Sequence, residues 1–361
     1  MMFAMSAAIT AIVGSLQILL LFPFVNCLSV WDSVIGAEQQ RALHGYASKV
    51  GLEHKCFSRP LQNSDGNNII ERTLDAILTE IESNSGNKQE KKQYVEYWTR
   101  QEWRHIEAHS DVDENLAKLH DQNPSSVDTE ELEAKFSSTY SDTHGFRFPS
   151  NGHVLYLQVG SEVLGPTCVF PGRSSGGDLL GKACNIDDQQ GNEDGIRLIT
   201  VPAVEGRLLR FDGRDLHAVP RPHDLWMLPF VKGSAEYEPE EVWGRSVILF
   251  NIWPGEEDPP LNVPLDKQEG GDDEETSATE LCNTFLEWQQ VDIVQNTQAE
   301  APDTQEEQNQ NVKVWLLGNE RRRKYQMRTA NLLAPEHGRR DRLRRALSES
   351  KMVTELILRQ Q

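Results

Sequence analysis

The chain has 361 residues and carries 36 Lys and Arg against 56 Asp and Glu, a net charge of −20. So acidic a balance excludes a surface built to neutralise nucleic-acid phosphates. Apolar residues make up 38%, beside 25 glycines. That fills a core and excludes collagen, coiled coil and polytopic membrane protein. The five cysteines are too few and too scattered for a disulfide scaffold, and they include no CxxC pair to suggest a zinc ribbon.

Residues 1–30 carry no charge, and Ala7 to Val25 is largely apolar, interrupted at Ser15 and Gln17. A signal-peptide core needs about 7–15 such residues and a bilayer span about 18 or more. The segment therefore reads as a signal peptide or membrane anchor, although no basic residue precedes Arg41; a buried N-terminal helix is the third reading. Either of the first two places the protein in the secretory pathway, in the endoplasmic reticulum lumen or membrane-associated through its N-terminus. Cleavage near Cys27 would leave Cys56, Cys168, Cys184 and Cys282. Cys168 and Cys184 are close enough to pair in an oxidising compartment, and two buried thiols is the equal alternative.

Residues 31–92 form an N-terminal helical region, in which Ile70, Leu74, Ile77, Leu78 and Ile81 predict an amphipathic helix over 67–83. The Asn-Ser-Gly-Asn cluster at 84–87 ends it. Residues 93–255 form the main domain. It opens on Tyr94, Tyr97, Trp98 and Trp103, and a polar, turn-rich stretch at 121–150 reads as a loop or insertion. From 153 the texture becomes β-prone: HVLYLQVG (153–160), PTCVF (166–170), IRLITV (196–201), GRLLRF (206–211) and RSVILFNIW (245–253), separated by Gly, Pro, Asn and Asp clusters. That pattern predicts an all-β sandwich or barrel, with 173–195 as a loop. Residues 256–311 are acidic and Gln/Asn-rich and predict disorder apart from LCNTFLEW at 281–288. Residues 312–361 combine a short strand, KVWLLG at 313–318, with a basic tail running from Arg321 to Arg345. The tail reads as a solvated helix or a clasp onto the acidic segment, and secondarily as a docking site for an acidic partner or membrane surface.

Chemistry concentrates around Trp103-Arg-His-Ile-Glu-Ala-His109-Ser110-Asp111. Side chains alternate along a strand, so His109 and Asp111 share a face. An imidazole beside a carboxylate is two thirds of the facial triad of non-haem Fe(II) oxygenases. Alone, an HxD tripeptide reads as a surface acidic turn. His217, just after the apolar run in GRLLRFDGRDLH, supplies a third ligand of the right type. Arg245 opens the strand RSVILFNIW, and its planar fork suits a carboxylate. Arg221, nearer to His217, is its rival but lies in the turn PRP.

Taken together, His109-Ser110-Asp111, the strand pair HVLYLQVG and GPTCVFPG, FDGRDLH ending at His217, and RSVILF from Arg245 resemble the iron(II)/2-oxoglutarate-dependent dioxygenases, in particular the prolyl 4-hydroxylase-like branch. The resemblance covers Tyr94 to Trp253. GPTCVFPG is similar to the GGxTxFP segment of that branch, with Leu164 in place of the first Gly. The resemblance implies a mainly β protein with flanking helices, built on a double-stranded β-helix, a jelly-roll barrel of the cupin type. It implies that His109, Asp111 and His217 hold Fe(II) as the catalytic metal. Arg245 would pair with the distal carboxylate of 2-oxoglutarate, with O2 as the other cosubstrate and ascorbate as an accessory reductant. The implied activity hydroxylates a peptidyl residue, prolyl among them, or a small molecule, while 2-oxoglutarate is decarboxylated to succinate. Two features depart from a compact family member. The interval from Asp111 to His217 is about doubled, so segments near 115–150 and 172–195 must loop outward. Arg245 also stands late, which makes PHDLWMLPFVKGSAEYEPEEVWG an inserted loop.

His105 and His109 are four apart, as in the HExxH zinc hydrolases, but Glu107 stands at the wrong position of that motif. A jelly roll that binds without catalysing is the other rival, since fold does not imply function; all three ligand types standing in order favour an enzyme.

Overall fold

The computed structural model describes residues 28–50, 53–60, 67–85, 92–102, 106–113, 147–161, 163, 166–172, 196–219, 244–255, 259–260, 288–295, 312–316, 328–332 and 351–358. Strand β1 (Ser29–Asp32), helix α1 (Ala37–Val50), β2 (Lys55–Arg59) and helix α2 (Ile69–Ser85) come first. Then follow β3 (Gln93–Glu102), β4 (Ile106–His109), β5 (Asn151–Val159), β6 (Thr167–Phe170), β7 (Ile196–Val201), β8 (Leu208–Asp212), β9 (Leu216–Val219) and β10 (Gly244–Pro254). The chain ends through β11 (Gln289–Gln290), β12 (Val294–Gln295), β13 (Val312–Leu316), β14 (Arg328–Leu332) and β15 (Thr354–Leu358).

These strands form a seven-stranded sheet, β11-β1-β8-β5-β10-β3-β2, a six-stranded sheet, β12-β15-β7-β6-β9-β4, and the antiparallel pair β13-β14. At the centre, β3, β10, β5 and β8 lie side by side in one sheet, and β4, β9, β6 and β7 in the other. The chain crosses repeatedly between the two and every pairing among these eight is antiparallel. That winding is the double-stranded β-helix, the jelly roll. Val154, Tyr156, Leu209, Phe211 and Val247 of the larger sheet meet Val169, Ile199 and Val201 of the smaller one inside the barrel.

A second core lies on the outer face of the larger sheet. Leu43 and Ala47 of α1 and Ile70, Leu74, Ile77, Leu78 and Ile81 of α2 pack over Val95, Tyr97, Leu155, Leu157, Leu208, Ile248, Phe250 and Ile252. Helix α2 buries the predicted apolar residues. It starts where the Asn68 carboxamide oxygen accepts the Glu71 amide at 3.0 Å, an N-cap contact. Buried Arg59 ties β2 to the helix, donating to Asp75 at 2.9 Å, to the Glu82 carboxylate, and to Gln93 of β3 at 2.8 Å.

The sheets reach beyond residues 93–255. β1 pairs with β8, and β15 pairs antiparallel with β7 from Thr354↔Thr200 to Leu358↔Ile196. The end of the tail is thus a barrel strand, fastened by an ion pair between Arg197 and Glu355. β11 and β12 lie within 256–311 and join sheet edges, and KVWLLG coincides with β13. Cys56 and Cys168 are buried free thiols, and burial pushes both far above the usual thiol range. Among the described residues no helix is long and apolar enough to cross a membrane. The apolar N-terminal segment to Val25, Trp103 to His105, the loop 173–195 with Cys184, Arg221, Cys282 and the arginine-rich stretch 321–327 and 339–345 lie outside the described residues.

Candidate metal centre

β4 is an edge strand whose only described partner is β9. Ile106 stands opposite Val219 and His109 opposite His217. Two steps along β9 thus match three along β4, so the strand carries a bulge. A bulge re-aims the side chains beyond it. In unbroken register Ala108 would face His217; the extra residue brings His109 there instead, and the two imidazole centroids are 4.4 Å apart. Ile106 and His109, three positions apart, therefore face the same way, which breaks the simple alternation of an unbroken strand.

Past the strand end the chain turns so that Asp111 closes the group. Its Oδ1 is 3.6 Å from His109 Nε2 and its Oδ2 is 3.8 Å from His217 Nε2. One ligand atom from each of the three residues lies within 4.8 Å of the others. Two nitrogens and one oxygen this close together are a donor set suited to a first-row divalent ion. His217 is buried, whereas His109 and Asp111 are about a fifth exposed, so the open side looks past β4 toward solvent.

Neighbouring groups fix these side chains. His217 Nδ1 donates to the Asp215 carbonyl at 3.3 Å, which leaves the Nε2 lone pair on the side of Asp111. The Ser110 hydroxyl donates to the Arg214 carbonyl at 2.8 Å, tying the end of β4 to the β8–β9 turn. That turn approaches the backbone of Pro149 closely at Gly213, where a Cβ would fall 2.0 Å from the Pro149 carbonyl oxygen. Asp215 accepts the Gly172 amide at 2.7 Å; burial pushes its carboxyl up to about 7 against the pull of that amide.

Arg245 is the second residue of β10 and is 2% exposed. A register shift between Ser246 and Val247 lies beside it. Its guanidinium lies 5.2 Å from the Tyr156 ring centroid, and its Nη2 donates to Thr167 Oγ1 at 3.0 Å. Tyr156 and Thr167 hydroxyls are themselves 2.7 Å apart. Arg245 Nε is buried without a hydrogen-bond partner among the described residues. On β6, Thr167 is two residues from Val169, which stands opposite His217. Two residues at about 3.3 Å each place Thr167 roughly 7 Å along the barrel from the imidazole, on the same face.

The structure brings His109, Asp111 and His217 together and puts Arg245 inside the same barrel. His105, the zinc-site rival, and Arg221, the rival anchor, lie outside the described residues. Sequence reasoning passed over Tyr156, Thr167, Ser110 and Asn251. For Asn251 a signal existed, since it is the one polar residue in the apolar run from Val247 to Trp253 of β10.

No protein-family model and no curated protein matches the chain. Among solved structures, the chain is similar to HygX from Streptomyces hygroscopicus with iron bound, at 14% identity, TM-score 0.33, over 63% of this chain and 83% of that one. It is similar to a Pseudomonas putida prolyl-4-hydroxylase at 12% identity, TM-score 0.32, over 68% and 90%. It is also similar to the viral collagen prolyl hydroxylase of Paramecium Bursaria Chlorella virus-1 at 12% identity, TM-score 0.31, over 63% and 90%. At such identities and TM-scores these likenesses carry no argument about this chain.

Proposed function

We propose that the protein is an Fe(II)- and 2-oxoglutarate-dependent dioxygenase that hydroxylates a peptidyl residue, prolyl among them, or a small-molecule substrate. The observation that carries this reading is the convergence of His109, Asp111 and His217 in a barrel that also buries Arg245. The donor set fits a ferrous ion: two neutral imidazoles and one carboxylate leave half of an octahedron open. A buried guanidinium with an unused Nε fits an anion, because burying a cation without compensation is costly.

His109, Asp111 and His217 would hold the metal, and Arg245 with Thr167 would hold the far carboxylate of 2-oxoglutarate. When bound, iron with 2-oxoglutarate and O2 supplies the oxidising chemistry, releasing CO2 and succinate. The chain's own part is to bind and orient. Asp111 offsets part of the cation's charge, the Asp215 carbonyl holds His217 in the tautomer that leaves Nε2 open, and the Arg245 fork sets the diacid's direction. Tyr156, Val169, Phe211 and Val247 line the barrel interior and keep water from it.

Anaerobic titration of the metal-free protein with Fe(II), then with 2-oxoglutarate, tests this. One ferrous ion per chain should bind, a visible charge-transfer band should grow on adding the oxo acid, and succinate should form when air is admitted, even without substrate. His217→Ala should abolish iron retention. Wild-type protein that neither binds iron stoichiometrically nor forms succinate would be a binding module.

A further inference from the structure

Across the inner face of the larger sheet, one row of residues lies beneath the candidate metal centre. Register places Glu96 of β3 beside Asn251 of β10, Asn251 beside Gly152 of β5, and Gly152 beside Phe211 of β8. Val247 and Leu249, on the same face of β10 as Asn251, pack in the barrel interior, as does Phe211. The row touches two of the three clustered residues. Asn251 Nδ2 donates to Asp111 Oδ2 at 3.2 Å, and the Phe211 ring lies 4.8 Å from the His217 ring, tilted by 50°.

The gap between them is Gly152. A Cβ there would meet the Phe211 ring at 2.6 Å, so the missing side chain lets the phenyl group lie across the strand and back His217. On the other flank Glu96 is engaged elsewhere: one oxygen accepts Trp253 Nε1 at 2.9 Å and the other contacts His54 Nδ1 at 2.8 Å. Of this row, the residue that reaches Asp111 is Asn251, and at 2% exposure it is shielded from competing water.

We propose that Asn251 is a positioning residue that holds Asp111 Oδ2 by its carboxamide and so fixes the plane of the carboxylate that would ligate the metal. The inference deepens the reading of the site as a ferrous centre and rests on it. A freely rotating carboxylate must be ordered each time an ion binds. A carboxylate with one oxygen held by a buried donor keeps its plane and would meet the ion already oriented. Neutral Asn suits the place: an Asp there would set two carboxylates against one another, and a Leu would fill the volume without the donor.

Full-length protein loaded with Co(II), whose d–d absorption reports coordination, tests the assignment. Asn251→Leu keeps the volume and removes the donor, and Asn251→Ala removes both, so a packing defect in one is checked by the other. Each should weaken Co(II) binding about 10–100-fold, the usual loss for an outer partner of a metal ligand. Each should also shift the d–d bands, while the thermal midpoint of the chelator-treated protein falls little for Asn251→Leu. Wild-type affinity and spectrum in either folded variant would overturn the role of Asn251 alone. Failure of wild-type protein to bind Co(II) or Fe(II) would instead overturn the metal reading of the site.

Discussion

The larger sheet presents Val95, Tyr97, Leu155, Leu208, Ile248, Phe250 and Ile252 outward beneath two helices. The same strands turn Arg245, Asn251, Gly152, Tyr156 and Phe211 toward the barrel interior. Alternation along a strand makes this possible: neighbouring residues of β10 serve opposite faces, one aliphatic and one equipped with donors. The outer face holds the barrel closed from behind. The inner face can then tolerate a buried guanidinium, a glycine gap and a carboxamide in strands that would otherwise be filled with Val and Ile. Separation of stability from chemistry is what the two faces teach, and each can be disturbed without the other.

The largest effect belongs to the outer side. Arg59→Ala would leave the carboxylates of Asp75 and Glu82 without their shared guanidinium, and removing one partner of a buried ion pair costs about 3–5 kcal/mol. A chemical-denaturation midpoint should fall accordingly, while Fe(II) affinity of the folded fraction stays as in wild type. Loss of iron binding in protein that remains folded would show that the two faces are not separable.

On the inner side, Arg245→Met should do the reverse. Charge-assisted hydrogen bonds are worth about 1.5–3 kcal/mol, so the 2-oxoglutarate concentration for half-maximal succinate formation should rise on the order of 10–100-fold. Iron affinity should change little, and the lost Nη2–Thr167 hydrogen bond is offset in folding stability by no longer burying a guanidinium whose Nε has no partner among the described residues. Arg245→Lys should recover only part of the effect, since an ammonium lacks the planar fork. If Arg221→Met produces this phenotype and Arg245→Met does not, the anchor is Arg221.

The outer face was far more legible in the sequence than the inner one, and the reason is periodicity. Ile70, Leu74, Ile77, Leu78 and Ile81 announce a helix and its buried stripe without any knowledge of the sheet below. The β-prone runs from 153 to 253 likewise announce strands and, with the motif order, a jelly roll. His109, Asp111, His217 and Arg245 could be picked by residue type and chain order. Their mutual geometry could not, because it depends on a one-residue bulge in β4 that no local pattern signals. Asn251, Gly152 and Phe211 become a row only through two strand registers, which join residue 152 to 251 and 152 to 211. β15 escaped notice for the same reason: its partner β7 lies 154 residues upstream, counting Thr354 against Thr200, and its basic surroundings read as tail.

The smallest effect tests whether acid strikes the two faces through different groups. His153 is a neutral, buried imidazole on the outer side of β5, stacked on Phe250 with centroids 4.4 Å apart and beside Arg210 of β8. Burial, reinforced by the Arg210 charge, holds its pKa well below the ordinary imidazole range. Its folded-state pKa is thus depressed, so its stabilising contribution is complete above the unfolded pKa of about 6.5 and is lost as pH falls below that value. Each pH unit in that window removes up to about 1.4 kcal/mol of stability. His153→Leu should flatten the dependence of chemical-denaturation stability between pH 7 and 5 by that slope. Metal affinity should still weaken in acid, because the imidazoles of His109 and His217 must be neutral to ligate. A variant whose stability profile parallels wild type would place the acid sensitivity elsewhere than His153. One whose metal affinity also loses its pH dependence would couple the outer face to the centre that it otherwise only supports.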